Sequence, residues 1–230
     1  MQLDRALQRN SVVFFALFAL LVLIGFWPTY FSNPTNLPTV LYHAHALTMT
    51  SWCAILVAQA YLIRTNRRDL HKRVGKLSFV VAPLVVITGI QWMRDVFRRV
   101  AFFEPIVYTQ LFLFLGSVVV FVIFYVLAIH FRKTPALHSR YMVCTVFPIY
   151  PPATDRILSA LFPEDPMSIL IPSWFVAELV LLGLSIWDWQ SPRRCKAFPA
   201  AFAIMLTYHV ATFTVSQLPY WATFTDWFSR

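Results

Sequence analysis

Two short motifs contain the residues whose types and spacing best suit chemistry. His71 stands in Leu-His-Lys-Arg and His138 in Leu-His-Ser-Arg, so an arginine follows each histidine two residues later, at Arg73 and Arg140. Neutral imidazoles from two helices can form the axial ligand pair of a b-type haem. The arginines are candidates to bind haem propionates, lipid phosphates, or the anionic head of a quinol-like or acyl substrate. Binding of another metal or ligand, or simple anchoring of both histidines at a membrane interface, stays open.

One acid and one histidine lie inside strongly apolar segments near the C-terminus. Glu178 and His209 fall at similar depths if these segments are helices that cross a bilayer. An isolated carboxylate in hydrocarbon is costly, so it is protonated or paired. We therefore predict that the two side chains lie within direct or one-water hydrogen-bonding reach, as a proton relay or as a structural pair.

A third group of polar residues lies at the opposite depth from His71. His43 and His45 are two residues apart and point about 200° from one another on a helix, so one faces the bundle. The deeper residue, His45, is the favoured one. Asp155 and Arg156 follow a proline-rich break and, with Gln91, are candidates for the wall of an outer pocket. The alternative is that Asp155 and Arg156 only sit at the membrane rim and pair with each other or with Arg94.

The segments that carry these residues are long and apolar. No Asp, Glu, Lys or Arg occurs between Arg9 and Arg64, and 59% of all residues are hydrophobic. A run of about 20 apolar residues is long enough to cross a bilayer as a helix. We predict an all-α, polytopic integral membrane protein with a single domain over residues 1–230. Its bundle of about seven transmembrane helices is predicted at 11–31, 41–63, 77–93, 107–131, 141–161, 169–187 and 198–215.

The basic residues predict how the chain is oriented. Most of the 19 Lys and Arg lie before the first segment or between segments two and three, four and five, and six and seven. Basic loops remain on the cytoplasmic side. The N-terminus is therefore predicted to be cytoplasmic and the C-terminus external, in a bacterial inner membrane. The net charge of +9 follows from this distribution, so the expected partners are membrane lipids and other membrane subunits, with no nucleic acid.

Prolines and cysteines add two further expectations. Pro148, Pro151 and Pro152 fall inside the fifth segment, so that segment should not form one straight helix. The three cysteines, two in predicted spans and one in a loop, have no spacing typical of a metal site.

Several of these residues together resemble a family of uncharacterised bacterial multi-pass membrane proteins, a domain of unknown function. The resemblance rests on His45, Gln59, the runs LHKRVGK and LHSRYM, and Arg156, and it covers about half of the chain. It implies a multi-pass membrane fold and no particular activity.

The same histidines also resemble those of the transmembrane di-haem cytochrome b family that moves electrons from ascorbate. His45, in HALTM, matches a histidine at the first core helix of that family, and His71 and His138 match the second and the fourth. The third position, near 108–110, holds no histidine. The resemblance therefore implies one haem between His71 and His138 and leaves His45 without a partner.

The sequence favours a membrane redox or electron-transfer protein that carries one haem b on the cytoplasmic side and whose catalytic residues are not identified. One alternative is a non-catalytic accessory or interaction subunit of a larger membrane complex. The other is a transporter or lipid-modifying enzyme that uses the outer Asp155 and Arg156 pocket.

Overall fold

The computed structural model describes residues 2–36, 38–100, 105–162, 166–191 and 194–230, and the secondary structure of these residues is helical, with no strand. The α-helices are Gln2–Phe26 (α1), Val40–Arg64 (α2), Arg68–Gly75 (α3), Ser78–Arg98 (α4), Pro105–His130 (α5), Pro135–Cys144 (α6), Pro151–Leu161 (α7), Pro166–Trp189 (α8), Ala197–Val215 (α9) and Pro219–Phe228 (α10).

Six helical stretches among the described residues are long and apolar enough to cross a membrane. They are Arg9–Phe31, Val40–Arg64, Arg68–Arg98, Ile106–His130, Ile171–Trp189 and Ala197–Val215. The predicted all-α fold is thereby confirmed, with helices of membrane-crossing length and composition. The count of seven is not confirmed, because the predicted segment 141–161 is not among these stretches.

The predicted segment 141–161 is divided between two short helices. Helix α6 ends at Cys144, the chain turns through residues 145–150, and α7 begins at Pro151. Prolines cannot donate a backbone hydrogen bond, and their rings clash with the preceding helical turn, yet they suit the first turn of a helix. The prediction that this segment is not one straight helix is confirmed, and the prolines explain where it breaks.

Two helices lie outside the predicted segments. Helix α3 is a short basic helix that precedes α4, and hydropathy missed it because four of its eight residues are charged. Helix α10 is also short, and its Phe228 packs with Met93, Phe97 and Leu111 of α4 and α5. Neither is long enough to cross a bilayer alone.

Contacts along the broken α6–α7 unit define two ends of the bundle. We call the end with His71 and His138 the His71 end; there α6 contacts the C-terminal part of α8 through Arg140 and Asp188. We call the opposite end the Arg156 end; there α7 contacts the N-terminal part of α8 through Asp155 and Ser173. Together α6 and α7 therefore reach from one end of the bundle to the other.

The core lies where large side chains of α2 and α5 meet. Trp52 is fully buried and packs edge-on against Phe121 and Tyr125, whereas Val40 and Leu47 of the same helix are 75% and 68% exposed. An apolar face of this kind suits contact with lipid, which offers no hydrophobic driving force for helix association. Helices can instead associate through close backbone packing, as at Gly25, where a Cβ atom would overlap the backbone of Ala153. This glycine lets α1 lie directly against α7.

Candidate functional site

The His71 end brings the two predicted haem ligands together. His71 and His138 are each the fourth residue of their helices, α3 and α6, and their ring centres lie 6.4 Å apart with the ring planes at 85°. The Nδ1 atom of His138 lies 2.8 Å from the carbonyl oxygen of Ala128. Because a carbonyl only accepts, Nδ1 must carry the hydrogen. In the neutral ring this leaves Nε2 with the lone pair that binds a metal.

Beside the two histidines lie buried polar atoms that have no hydrogen-bond partner among the described residues. They are Nδ1 of His71 and both side-chain polar atoms of Gln59. The His71 ring lies beside the backbone carbonyl of Gln59 and the His138 ring. Buried polar groups are nearly always satisfied in folded proteins, so unsatisfied ones need an explanation such as a bound group. This cluster marks the His71 end as a candidate ligand site.

The donor set at this end fits a bis-histidine haem in two respects. His71 and His138 would supply two imidazole ligands to a haem iron. Rings that share one iron need a centre-to-centre distance of about 6 Å, since each ligating bond is about 2 Å and each nitrogen lies about 1 Å from its ring centre. The 6.4 Å separation matches this requirement. No group of three or more His, Cys, Asp or Glu residues suited to a metal occurs in the described part of the chain.

The two arginines of the motifs have different environments. Arg73 is exposed, so it is free to reach a propionate or a lipid phosphate. Arg140 is fully buried and forms two hydrogen bonds with Asp188, from Nη2 to Oδ1 at 2.7 Å and from Nε to Oδ2 at 3.2 Å. Its Nη1 donates to the carbonyl of Ala136 at 2.9 Å. The assignment of Arg140 to ligand binding is therefore corrected: its charge is committed to an internal carboxylate.

Glu178 and His209 form the predicted pair between α8 and α9. Nδ1 of His209 lies 2.8 Å from Oε1 of Glu178, and the His209 ring stacks on Trp174 with ring centres 4.9 Å apart. The expectation of direct hydrogen-bonding reach is confirmed. Oε2 of Glu178 and Nε2 of His209 are buried and have no partner among the described residues. Both groups thus keep one unused polar atom, which a relay would need and a purely structural pair would not.

The Arg156 end contains a cavity of about 200 Å³. Helices α1, α2, α4, α5 and α7, the stretch Trp27–Phe31 after α1 and the turn before α7 line it, and most of its wall is aliphatic or aromatic. We call it the Arg156 cavity. Its polar wall residues include Tyr30, Tyr42, His45 and Arg156.

His45 is held in the wall of the cavity from two sides. Its ring stacks on Trp92 with planes 8° apart, and its Nδ1 lies 3.3 Å from Oγ1 of Thr88. The Thr88 hydroxyl already donates to the carbonyl of Leu84 at 2.7 Å, so it accepts from Nδ1 of His45. His43 is exposed and bonds to Tyr30 instead. His43 and His45 thus point in different directions, as their spacing predicts, and His45 is the one that faces the bundle.

The residues expected around the outer pocket are only partly brought together. Arg156 lines the cavity, but Asp155 accepts a 2.6 Å hydrogen bond from Ser173 of α8. Gln91 is exposed and is not among the lining residues, so its assignment to the pocket is corrected. Gln91 lies in the second half of α4, and a difference of one residue along a helix rotates the side chain by about 100°, here away from the cavity. Arg94 donates to the carbonyl of Phe228 rather than joining an ion pair at the rim.

No family model, no curated protein and no solved structure matches the chain.

Sequence reasoning missed two important residues. Asp188 is fully buried against Arg140, although it lies at the end of a predicted segment, where acids are usually solvated. Gly89 lets His45 approach α4, since a Cβ there would lie 3.3 Å from Cε1 of His45. The sequence could have predicted the Asp188 contact, because an acid beside an apolar segment needs a cation as its partner. Arg140, at a similar predicted depth, is such a cation.

Proposed function

We propose that this chain is a membrane electron-transfer protein that holds one b-type haem between His71 and His138. The observation that carries the proposal is the closeness of two imidazoles, whose ring centres are 6.4 Å apart, with the Nδ1 hydrogen of His138 committed to the Ala128 carbonyl. Haem iron supplies reversible one-electron chemistry when it is bound. His71 and His138 would hold the group, and Arg73 would neutralise a propionate.

The surroundings of the two histidines suit such a role. Gln59 lies on α2 with both side-chain polar atoms buried and unpaired within the described structure. Apolar burial and nearby hydrogen-bond donors are the means by which proteins tune a haem potential. Gln59 would donate a hydrogen bond at the edge of the site, and the buried pair of Arg140 and Asp188 would hold the start of α6 in position.

The proposal also places the chain in a bacterial inner membrane with the His71 end on the cytoplasmic side. The basic residues of α3 support this side, because positive charges favour the cytoplasmic face. The α6–α7 unit would then form a seventh, broken crossing, and the termini would lie on opposite sides. Reporter fusions at Lys72 and Arg230 should give opposite signals, and signals from the same side would contradict this topology.

Visible spectroscopy of the purified chain tests the haem. The full-length protein is expressed in haem-replete cells, purified in mild detergent, and measured as oxidised and as dithionite-reduced protein. A Soret band and reducible α-bands are expected, with a low-spin signal in electron paramagnetic resonance. A colourless, correctly folded preparation would contradict the proposal.

Three variants assign the ligands. His71→Ala and His138→Ala should each abolish the low-spin spectrum, whereas His130→Ala, which changes an exposed histidine at the end of α5, should retain it. Size-exclusion chromatography checks that each variant is folded. Full colour in both ligand variants would reject this ligand pair.

A further inference from the structure

We propose that the Arg156 cavity binds an acyl-chain amphiphile through an anionic oxygen headgroup. This inference is independent of the haem at the opposite end of the bundle. The evidence is the charge of Arg156 and the mostly apolar wall of the cavity beside it.

No ion pair within the described part of the chain neutralises the charge of Arg156. Its Nη1 donates to the carbonyl of Pro152 at 2.7 Å, and its Cζ lies 4.2 Å from the ring centre of Phe26. An arginine side chain stays protonated in proteins, so it cannot escape the cost of burial by losing its proton.

The neighbouring acid, Asp155, attracts Arg156 electrostatically but forms no ion pair with it. Asp155 accepts the hydroxyl hydrogen of Ser173 at 2.6 Å and thereby faces α8 rather than the cavity. The Tyr150 hydroxyl donates to the carbonyl of Ser173, which further ties α7 to α8. Arg156 is partly buried, and a guanidinium withdrawn from water without an ion-pair partner is unfavourable. An anionic oxygen in the cavity would restore the balance, because carboxylates and phosphates accept two parallel hydrogen bonds from arginine.

The remaining wall specifies the other part of the ligand. Aliphatic and aromatic side chains dominate it, and they come from four helices that face lipid on their outer sides. Among them are Val22, Phe26, Val86, Phe114 and Val118. A cavity of about 200 Å³ is smaller than the roughly 300–1,000 Å³ typical of sites that enclose a whole drug-sized ligand. It therefore suits a headgroup and the beginning of an acyl chain, with the rest of the chain in the bilayer.

Two ligands share this chemistry, a free fatty acid and a phosphate-headed lipid. The test uses the full chain in neutral-lipid nanodiscs, with oleate, dioleoyl phosphatidate and uncharged monoolein as probes in native mass spectrometry. Binding of one oleate or one phosphatidate per chain is expected, and the preferred probe identifies the headgroup. Monoolein should bind at least tenfold more weakly. Equal binding of all three probes would overturn the proposal.

Paired variants separate the cavity from the general lipid surface. Arg156→Gln should weaken binding of the anionic probe at least tenfold, and Arg156→Lys should retain part of it. Arg94→Gln is the matched control, since Arg94 lies at the same end and does not line the cavity. Unchanged binding in Arg156→Gln would overturn the proposal.

A second pair of variants does not depend on the charge. Ala46→Leu adds volume inside the cavity, whereas Ala54→Leu adds the same volume on the exposed face of the same helix. Only Ala46→Leu should abolish binding. If the anionic probe binds both variants as tightly as it binds the unmodified chain, it does not occupy this cavity.

Discussion

Arg140 and Arg156 lie on either side of the proline break and have opposite environments. Arg140 is fully buried, with Asp188 accepting two of its hydrogen bonds and a backbone carbonyl accepting a third. Arg156 lines a cavity and has one hydrogen bond, to a backbone carbonyl. The first charge is balanced inside the protein and stabilises the fold. The second forms no ion pair among the described residues, which is the condition expected of a charge that meets a ligand.

The histidines show the same contrast in another form. At the His71 end two imidazoles lie close together beside unsatisfied polar atoms, whereas at the Arg156 end a single imidazole, His45, is fixed in the cavity wall by Trp92 and Thr88. Two ligands suit a metal centre, and one immobilised ring suits the wall of a pocket. This difference supports the proposals of a haem at the His71 end and an anionic amphiphile at the Arg156 end.

Removing the partner of Arg140 should have the largest effect on stability. Asp188→Ala leaves a fully buried guanidinium without its carboxylate, which should cost about 3–5 kcal/mol in the free energy of unfolding. Unfolding in mixed micelles of increasing denaturing detergent measures this change. Asp69→Ala, at an exposed acid of the same end, is the control. If both variants unfold at the same detergent fraction, the Arg140 pair does not stabilise the fold.

The pair in the middle of the bundle should have a smaller effect. Glu178 and His209 share one hydrogen bond and are 14% and 7% exposed, so we expect a coupling free energy of about 1.5–3 kcal/mol. A double-mutant cycle with Glu178→Gln and His209→Phe measures it. Strictly additive losses would show that the two side chains contribute independently.

Close packing of α1 on α7 provides the next test. Gly25→Ala should cost about 1–3 kcal/mol, because the added Cβ would overlap the Ala153 backbone and separate the helices that hold Phe26 against Arg156. It should also weaken lipid binding. Gly183→Ala, where nothing lies within 4 Å of the added Cβ, should be neutral or stabilise α8 by up to about 1 kcal/mol. Equal thermal stabilities would show that α1 and α7 separate without cost.

The smallest effect is expected at the wall of the Arg156 cavity. Gly89→Ala would push a Cβ to 3.3 Å from Cε1 of His45, which should cost about 0.5–1.5 kcal/mol in affinity for the anionic probe as the ring leaves its preferred rotamer. The visible spectrum of the proposed haem should not change. A change of spectrum without a change of affinity would show that the two ends of the bundle are coupled.

Several features of the fold were predictable from local patterns. Apolar runs of membrane-crossing length predicted the helices, and the prolines at 148, 151 and 152 predicted the break between α6 and α7. The helical spacing of His43 and His45 predicted that they face different ways, and depth along two neighbouring helices predicted the Glu178–His209 contact. Each of these depends only on helix geometry and on the cost of placing polar groups in lipid.

The sequence by itself determined that the chain forms membrane helices, because hydrocarbon admits a backbone only when its hydrogen bonds are satisfied internally. Only the tertiary structure decided which arginine is paired. Arg140 meets Asp188, and Asp155 turns from Arg156 to Ser173, because of how α6 and α7 are rotated against α8. Gln91 was misassigned for the same reason. A helical rotation of one residue changes the partner of a side chain without altering the hydropathy pattern.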